Sequence, residues 1–110
     1  MKSQNKQFLS KGKKKMLKKV LLITTPGCEA CKIMENIIRK VHKDNLYTFS
    51  IDVQEFNKVP EFIKINVPMN DFPVTVLLQG GKSGQTIKCH FAGTKPAREV
   101  QSIINDLNFK

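Results

Sequence analysis

Val20-Leu21-Leu22-Ile23-Thr24 runs directly into Thr25-Pro26-Gly27-Cys28-Glu29-Ala30-Cys31-Lys32. The first five residues are aliphatic and β-branched and read as a strand buried on both faces. Thr25-Pro26-Gly27 ends that strand. Beyond it Ala30, Ile33, Met34, Ile37, Ile38 and Val41 recur at spacings of 3 and 4. That spacing predicts an amphipathic helix over residues 28–43 with these six on its apolar stripe. The two cysteines therefore sit where a strand gives way to a helix.

Working outward, Leu46 to Ile51 alternates and is expected as a second strand, after a turn at Asp44-Asn45. Strand, helix and strand in this span form a βαβ unit. A weaker helix is expected over about 54–65, with Phe56, Val59, Phe62 and Ile63 apolar and Pro60 limiting its regularity. Val74 to Leu78 reads as a central strand, and Gly80 to Gly84 as a turn. Gln85 to Phe91 is expected as an edge strand with Ile87, Cys89 and Phe91 on one dry face. Pro96 opens a last helix whose buried stripe is Val100, Ile103, Ile104 and Leu107. The order β-α-β-α-β-β-α implies an α/β domain, one sheet with helices packed on it.

The formal net charge of +10 does not belong to that domain. Residues 1–19 hold eight lysines and no acid, so the remaining 91 residues are close to neutral. Residues 1–18 read as a basic tail, disordered because it has too few apolar groups to bury against its own charge. Residues 19–110 are the domain. The tail leaves open a contact with an anionic partner such as nucleic acid, a membrane surface or an acidic protein. The longest early apolar run is too short for a secretory or membrane-spanning segment, and the expected location is cytoplasmic.

Three cysteines do not make a disulfide scaffold of the secreted kind. In a reducing compartment a close pair is redox-active or metal-binding. Two intervening residues in the first helical turn bring Cys28 and Cys31 within bonding reach, so a small disulfide ring can form and open. At the helix N-terminus, free N–H groups and the macrodipole favour the Cys28 thiolate. Cys28 is then the nucleophile and Cys31 the resolving thiol. Gly27 leaves space beside the sulfur. Glu29 opposes thiolate formation, and Lys32 offsets it. The alternative is zinc, which needs four ligands. Its other candidates are Cys89, His90 and His42. Cys89 and His90 are adjacent in a strand and point to opposite faces. Cys89 is expected as a buried core thiol, and His42 as a solvated helix-end residue. Phe72-Pro73 opens an apolar strand, a place for proline that makes sense for a cis bond beside a reactive group.

Taken together, these residues resemble the thioredoxin superfamily over about residues 19–108. The matches are the strand–Cys28-x-x-Cys31–helix, Ser50-Ile51-Asp52-Val53, Ile65-Asn66-Val67, Pro73 to Leu78 with Gly80-Gly81-Lys82, and Gly93. The resemblance implies a four-stranded mixed sheet of order 2-1-3-4, flanked by three helices, and thiol–disulfide exchange. It makes Cys28 and Cys31 the redox pair and Pro73 the cis-proline facing them. Phe72 then offers its backbone to a substrate chain, and Gly93 lies beside the site. It implies no metal or organic cofactor, a disulfide-containing protein as substrate, and a reductase or dithiol as electron donor. The departures are specific. Gly27 stands where thioredoxins carry Trp, and Leu22 where they bury an Asp. Glu29-Ala30 replaces Gly-Pro. Ala92-Gly93-Thr94-Lys95 does not match the glutathione clamp of glutaredoxins. The other readings are a glutathione-dependent enzyme of glutaredoxin type and a binding module that uses the lysine-rich arm.

Overall fold

A computed structural model of the chain describes residues 17–81 and 84–109. The tail reading for residues 1–16 lies outside the described residues, as do Lys82 and Ser83 of the turn. The elements are β1 (Leu17–Thr24), α1 (Glu29–Asp44), β2 (Ser50–Glu55), a 3-10 turn (Phe56–Lys58), α2 (Glu61–Asn66), β3 (Val74–Gly81), β4 (Gly84–Ala92) and α3 (Ala97–Asp106). The four strands form one sheet in the order β2-β1-β3-β4. β1 is parallel to β2 and antiparallel to β3, and β3 is antiparallel to β4. This is the mixed α/β architecture expected from the sequence. Leu17 and Lys18, assigned there to the tail, pair in β1 with Gly80 and Gln79.

The sheet is dry on both faces around β1. Val20 and Leu22 pack with Met34, Ile38 and Val41 of α1 and Val100 and Ile104 of α3. Leu21 and Ile23 face the other way, with Val59, Ile63, Val74 and Val76. Burial on both faces explains why this strand is a continuous apolar run rather than an alternating one.

Several elements depart from the sequence expectation, each for a local reason. The second strand begins at Ser50, not Leu46. Residues 45–47 instead close α1: Leu46 N–H donates to Lys43 C=O and Tyr47 N–H to His42 C=O. That bond pair is the Schellman helix stop, with Leu46 and Tyr47 at φ 58° and 59° where glycine is usual. No glycine announced it, so the Leu46-Tyr47 alternation read as strand. α3 ends in the same way. Asn108 takes φ 54°, and Phe109 N–H donates to Ile104 C=O. This buries Phe109 completely beside Phe49, a core residue the pattern did not reveal.

The expected helix over 54–65 divides into the 3-10 turn and α2, because Pro60 serves as the N-cap of α2 instead of continuing a helix. On α1 the stripe is narrower than expected: Ile33 is 53% exposed. In β4 the register slips between Leu77 and Leu78, so Cys89 pairs with Leu77 but Ile87 with Leu78. The extra residue, Lys88, reverses the faces. Ile87 therefore packs with the α2-side core, while Cys89 and Phe91 pack under α1 and α3. The three do not share a face.

Candidate functional site

Strand register brings four chain segments to one end of the sheet. Ile23 of β1 pairs with Val74 of β3, and Val74 pairs with Ala92 of β4. Thr24 pairs with Glu55 of β2. The residues just beyond these pairs therefore cluster: the 25–28 turn, Phe56, Phe72-Pro73 and Gly93. Gly93 N–H donates to Pro73 C=O at 2.8 Å, tying the last two together. The Phe72–Pro73 bond is cis and Pro73 is buried.

Gly27 turns the chain from β1 into α1 at φ 73°. A Cβ there would meet nothing within 4 Å. The positive φ is what calls for glycine here. Cys28 is the N-cap of α1, and its Sγ accepts the backbone N–H of Cys31 at 3.1 Å. The two cysteines are joined by a disulfide with their Cα atoms 5.2 Å apart. Cys28 is half-buried and Cys31 is 4% exposed. Access to the ring is thus from the Cys28 side. Glu29 and Lys32 lie outside on exposed positions and face each other at 3.8 Å. The acid within the motif is partnered in solvent by Lys32.

Beside the disulfide is a cavity of about 150 Å3 lined by Thr24, Gly27, Cys28, Cys31, Glu35 and Val53, among others. Sequence reading missed Glu35. The signal available was its place one turn after Cys31. Phe56 was also missed. It had been assigned to the buried side of a helix, but it is 40% exposed and meets the Phe72 ring edge-on at 5.9 Å. Lys64 Nζ sits 4.8 Å above the same Phe56 ring.

The remaining candidates lie elsewhere. Cys89 is only half-buried, not a sealed core thiol. It lines a separate groove of about 490 Å3 between β4 and α3. Burial pushes its pKa up, and Lys95 pulls it partly back. His42 is partly buried between the Tyr47 and Phe49 rings rather than freely solvated. His90 is exposed on β4. Among the described residues, no group of three or more His, Cys, Asp or Glu side chains is placed to hold a metal. No described helix is long and apolar enough to cross a membrane.

A βαβαββα order with a disulfide at the N-terminus of its first helix and a cis-proline opening the neighbouring strand defines a thioredoxin fold. Solved structures agree. The chain is similar to thioredoxin-2, a component of the malaria parasite's protein secretion machinery, with 17% identity over 84% of this chain and 85% of that one and a TM-score of 0.66. It is similar to a thioredoxin-like protein from Clostridium perfringens, with 21% identity, 86% and 73% coverage and a TM-score of 0.65. The oxidised mitochondrial thioredoxin 3 of Saccharomyces cerevisiae gives 21% identity, 81% and 77% coverage and a TM-score of 0.60. No protein-family model and no curated protein matches the sequence. At these identities the likeness establishes the fold.

Proposed function

We propose that the protein is a thiol–disulfide oxidoreductase that reduces protein disulfides with the Cys28–Cys31 pair in the cytoplasm. The observation that carries this is the Cys31 N–H directed at Cys28 Sγ at the N-terminus of α1. An amide donor and the positive end of the helix dipole stabilise a thiolate at that atom. Reduced Cys28 attacks one sulfur of a substrate disulfide. The new S–S bond joins Cys28 to the substrate, and the other substrate sulfur leaves as a thiolate that takes up a proton. Cys31, deprotonated, then attacks Cys28 Sγ and expels the second substrate thiol. The protein is left oxidised and the substrate has gained two electrons. A reductase or a dithiol restores the pair. The exposed edge of Phe56, beside Phe72 and Pro73, gives a substrate chain an apolar contact.

The test is turnover of a disulfide substrate, insulin or DTNB, with dithiothreitol or an NADPH-linked reductase as donor. Cys28→Ser abolishes turnover, while Cys31→Ser stops at a stable mixed disulfide. Wild-type turnover by Cys28→Ser overturns the reading. A glutathione-dependent activity is separated by offering glutathione as the only reductant.

A further inference from the structure

Resolution of the mixed disulfide needs the Cys31 proton to leave a nearly buried sulfur. Cys31 is 4% exposed, so bulk water is not at hand to take it. The strands line the space at Cys31 with Thr24 and Val53 only; Cys89 and Glu55, ionisable groups on the α1 face of the sheet, do not reach it. The β1 residues that face α1 are Val20 and Leu22, at 1% and 0% exposure. On β2, Ile51 and Val53 face α1, which turns Asp52 to the opposite face, 3.8 Å from Lys19.

One carboxylate does share the space beside the disulfide. Glu35 lines the same cavity as Cys28 and Cys31, one helical turn beyond Cys31 on the same side of α1. About 150 Å3 is room for several waters. Arg39 fixes the side chain: its Nε and Nη2 both donate to Glu35 Oε2, at 3.0 and 2.7 Å. Among the described residues Oε1 has no hydrogen-bond donor, so it is left to water. The other charged group at the cavity is Lys32, whose neighbour is Glu29. Thr24, Thr25 and Val53 add no charge.

We propose that Glu35 exchanges the proton of Cys31 through water in this cavity. The inference rests on the oxidoreductase reading above. In the resolving step the Cys31 S–H proton passes by water to the Glu35 carboxylate. The Cys31 electron pair forms the bond to Cys28 Sγ, and the substrate sulfur leaves with the pair from the broken bond. The proton then returns to solvent or to the departing thiolate. In the reverse direction Glu35 supplies the proton as the Cys31 thiol re-forms.

The experiment is stopped-flow reduction of DTNB by the fully reduced protein carrying Cys89→Ala, which removes the third thiol, between pH 5 and 9. The first TNB released reports attack by Cys28, and the second reports resolution by Cys31. Glu35→Gln keeps the shape and removes the base. Its first phase is expected to equal that of wild type. Its second phase is expected to slow by about tenfold or more at pH 7, the low end of what general acid–base groups contribute, with a changed pH profile. Lys40→Gln breaks a comparable ion pair of α1, with Asp44 and away from the cavity, and should resolve within about twofold of wild type. A Glu35→Gln second phase like that of wild type across the pH range overturns the proposal. An equal loss in Lys40→Gln overturns it too, because the effect would then come from the helix. If wild type shows no first phase, the oxidoreductase reading fails and this proposal falls with it.

Discussion

The backbone N–H of Cys31 points at Sγ of Cys28 from 3.1 Å, across the first turn of α1. The sulfur proposed as nucleophile is thus held by the backbone of its own partner. That donor survives any substitution of the Cys31 side chain except proline. Cys89 has the reverse setting, since burial pushes its pKa up. In the reduced protein at pH 7, iodoacetamide should therefore modify Cys28 at least about tenfold faster than Cys89. Peptide mapping by mass spectrometry after limited labelling measures the ratio. Faster labelling of Cys89 would contradict this account of the site.

The Cys89 shift also has a sign in stability. The folded state holds the thiol proton more tightly than the unfolded chain does. The associated stability is fully present below the unfolded thiol pKa, about 8.5, and is lost as pH rises from there through the higher folded value. With the Cys28–Cys31 bond kept oxidised, urea melts should show wild type losing more stability between about pH 8 and 10 than Cys89→Ala loses. Parallel pH curves for the two proteins would show that the thiol is not held protonated by the fold.

How far the sequence carried this reading can be judged at particular residues. Cys28, Cys31, Pro73 and the β1–α1 junction were legible because each depends on local chemistry: a helix start, a turn and an apolar run. Glu35 was not, since its proposed role depends on a cavity that Val53 of another strand helps to line. Ile87 was placed on the wrong face because a bulge at Lys88 adds a residue without leaving a glycine or proline to mark it. Leu46 and Tyr47 were read as strand because hydrogen bonds to Lys43 and His42 hold them in a conformation their side chains disfavour.

Two glycines separate backbone need from spatial need. At Gly27 an added Cβ meets nothing within 4 Å, and only the positive φ opposes it. Gly27→Ala should cost about 1 kcal/mol. At Gly80 an added Cβ would run into the Gly84 carbonyl oxygen and come within 2.8 Å of Gln85 Cα, both backbone. Gly80→Ala must therefore part β3 from β4 and should cost at least about 3 kcal/mol. Denaturant melts of the two variants test the order. A Gly27→Ala cost equal to that of Gly80→Ala would refute it.

Asn45 joins the end of α1 to α3. Its Nδ2 donates to Val41 C=O at 2.7 Å and to Gln101 Oε1 at 2.6 Å, while Gln101 Nε2 donates back to its Oδ1 at 3.1 Å. Asn45 is nearly buried. Asn45→Ala takes the donor from Gln101 Oε1, while Val41 C=O keeps the backbone N–H of residue 45 and Gln101 Nε2 keeps Asn105 Oδ1, so the cost should be about 1 kcal/mol. Because the pair lies at the far end of α1 from Cys28, the reaction of Cys28 with DTNB should be unchanged. Chemical denaturation and DTNB kinetics on the same sample separate the two effects.

Thr75 presents the opposite case, a polar group whose removal should help. It is fully buried on β3, paired with Leu22 and Phe91, and its Oγ1 has no hydrogen-bond partner among the described residues. Leu22, Leu77 and Phe91 lie on the same sheet face and pack into the α1-side core, so the hydroxyl sits among apolar groups. An unpaired hydroxyl in such a place carries a desolvation penalty of about 1–3 kcal/mol. Valine has nearly the same shape and carries a methyl where threonine has its hydroxyl. Thr75→Val should therefore raise stability by about 1 kcal/mol, read as a higher urea midpoint at unchanged slope. A lower midpoint would mean that the hydroxyl has a partner in solution, and a water bound between it and a neighbouring backbone group would then be the place to look.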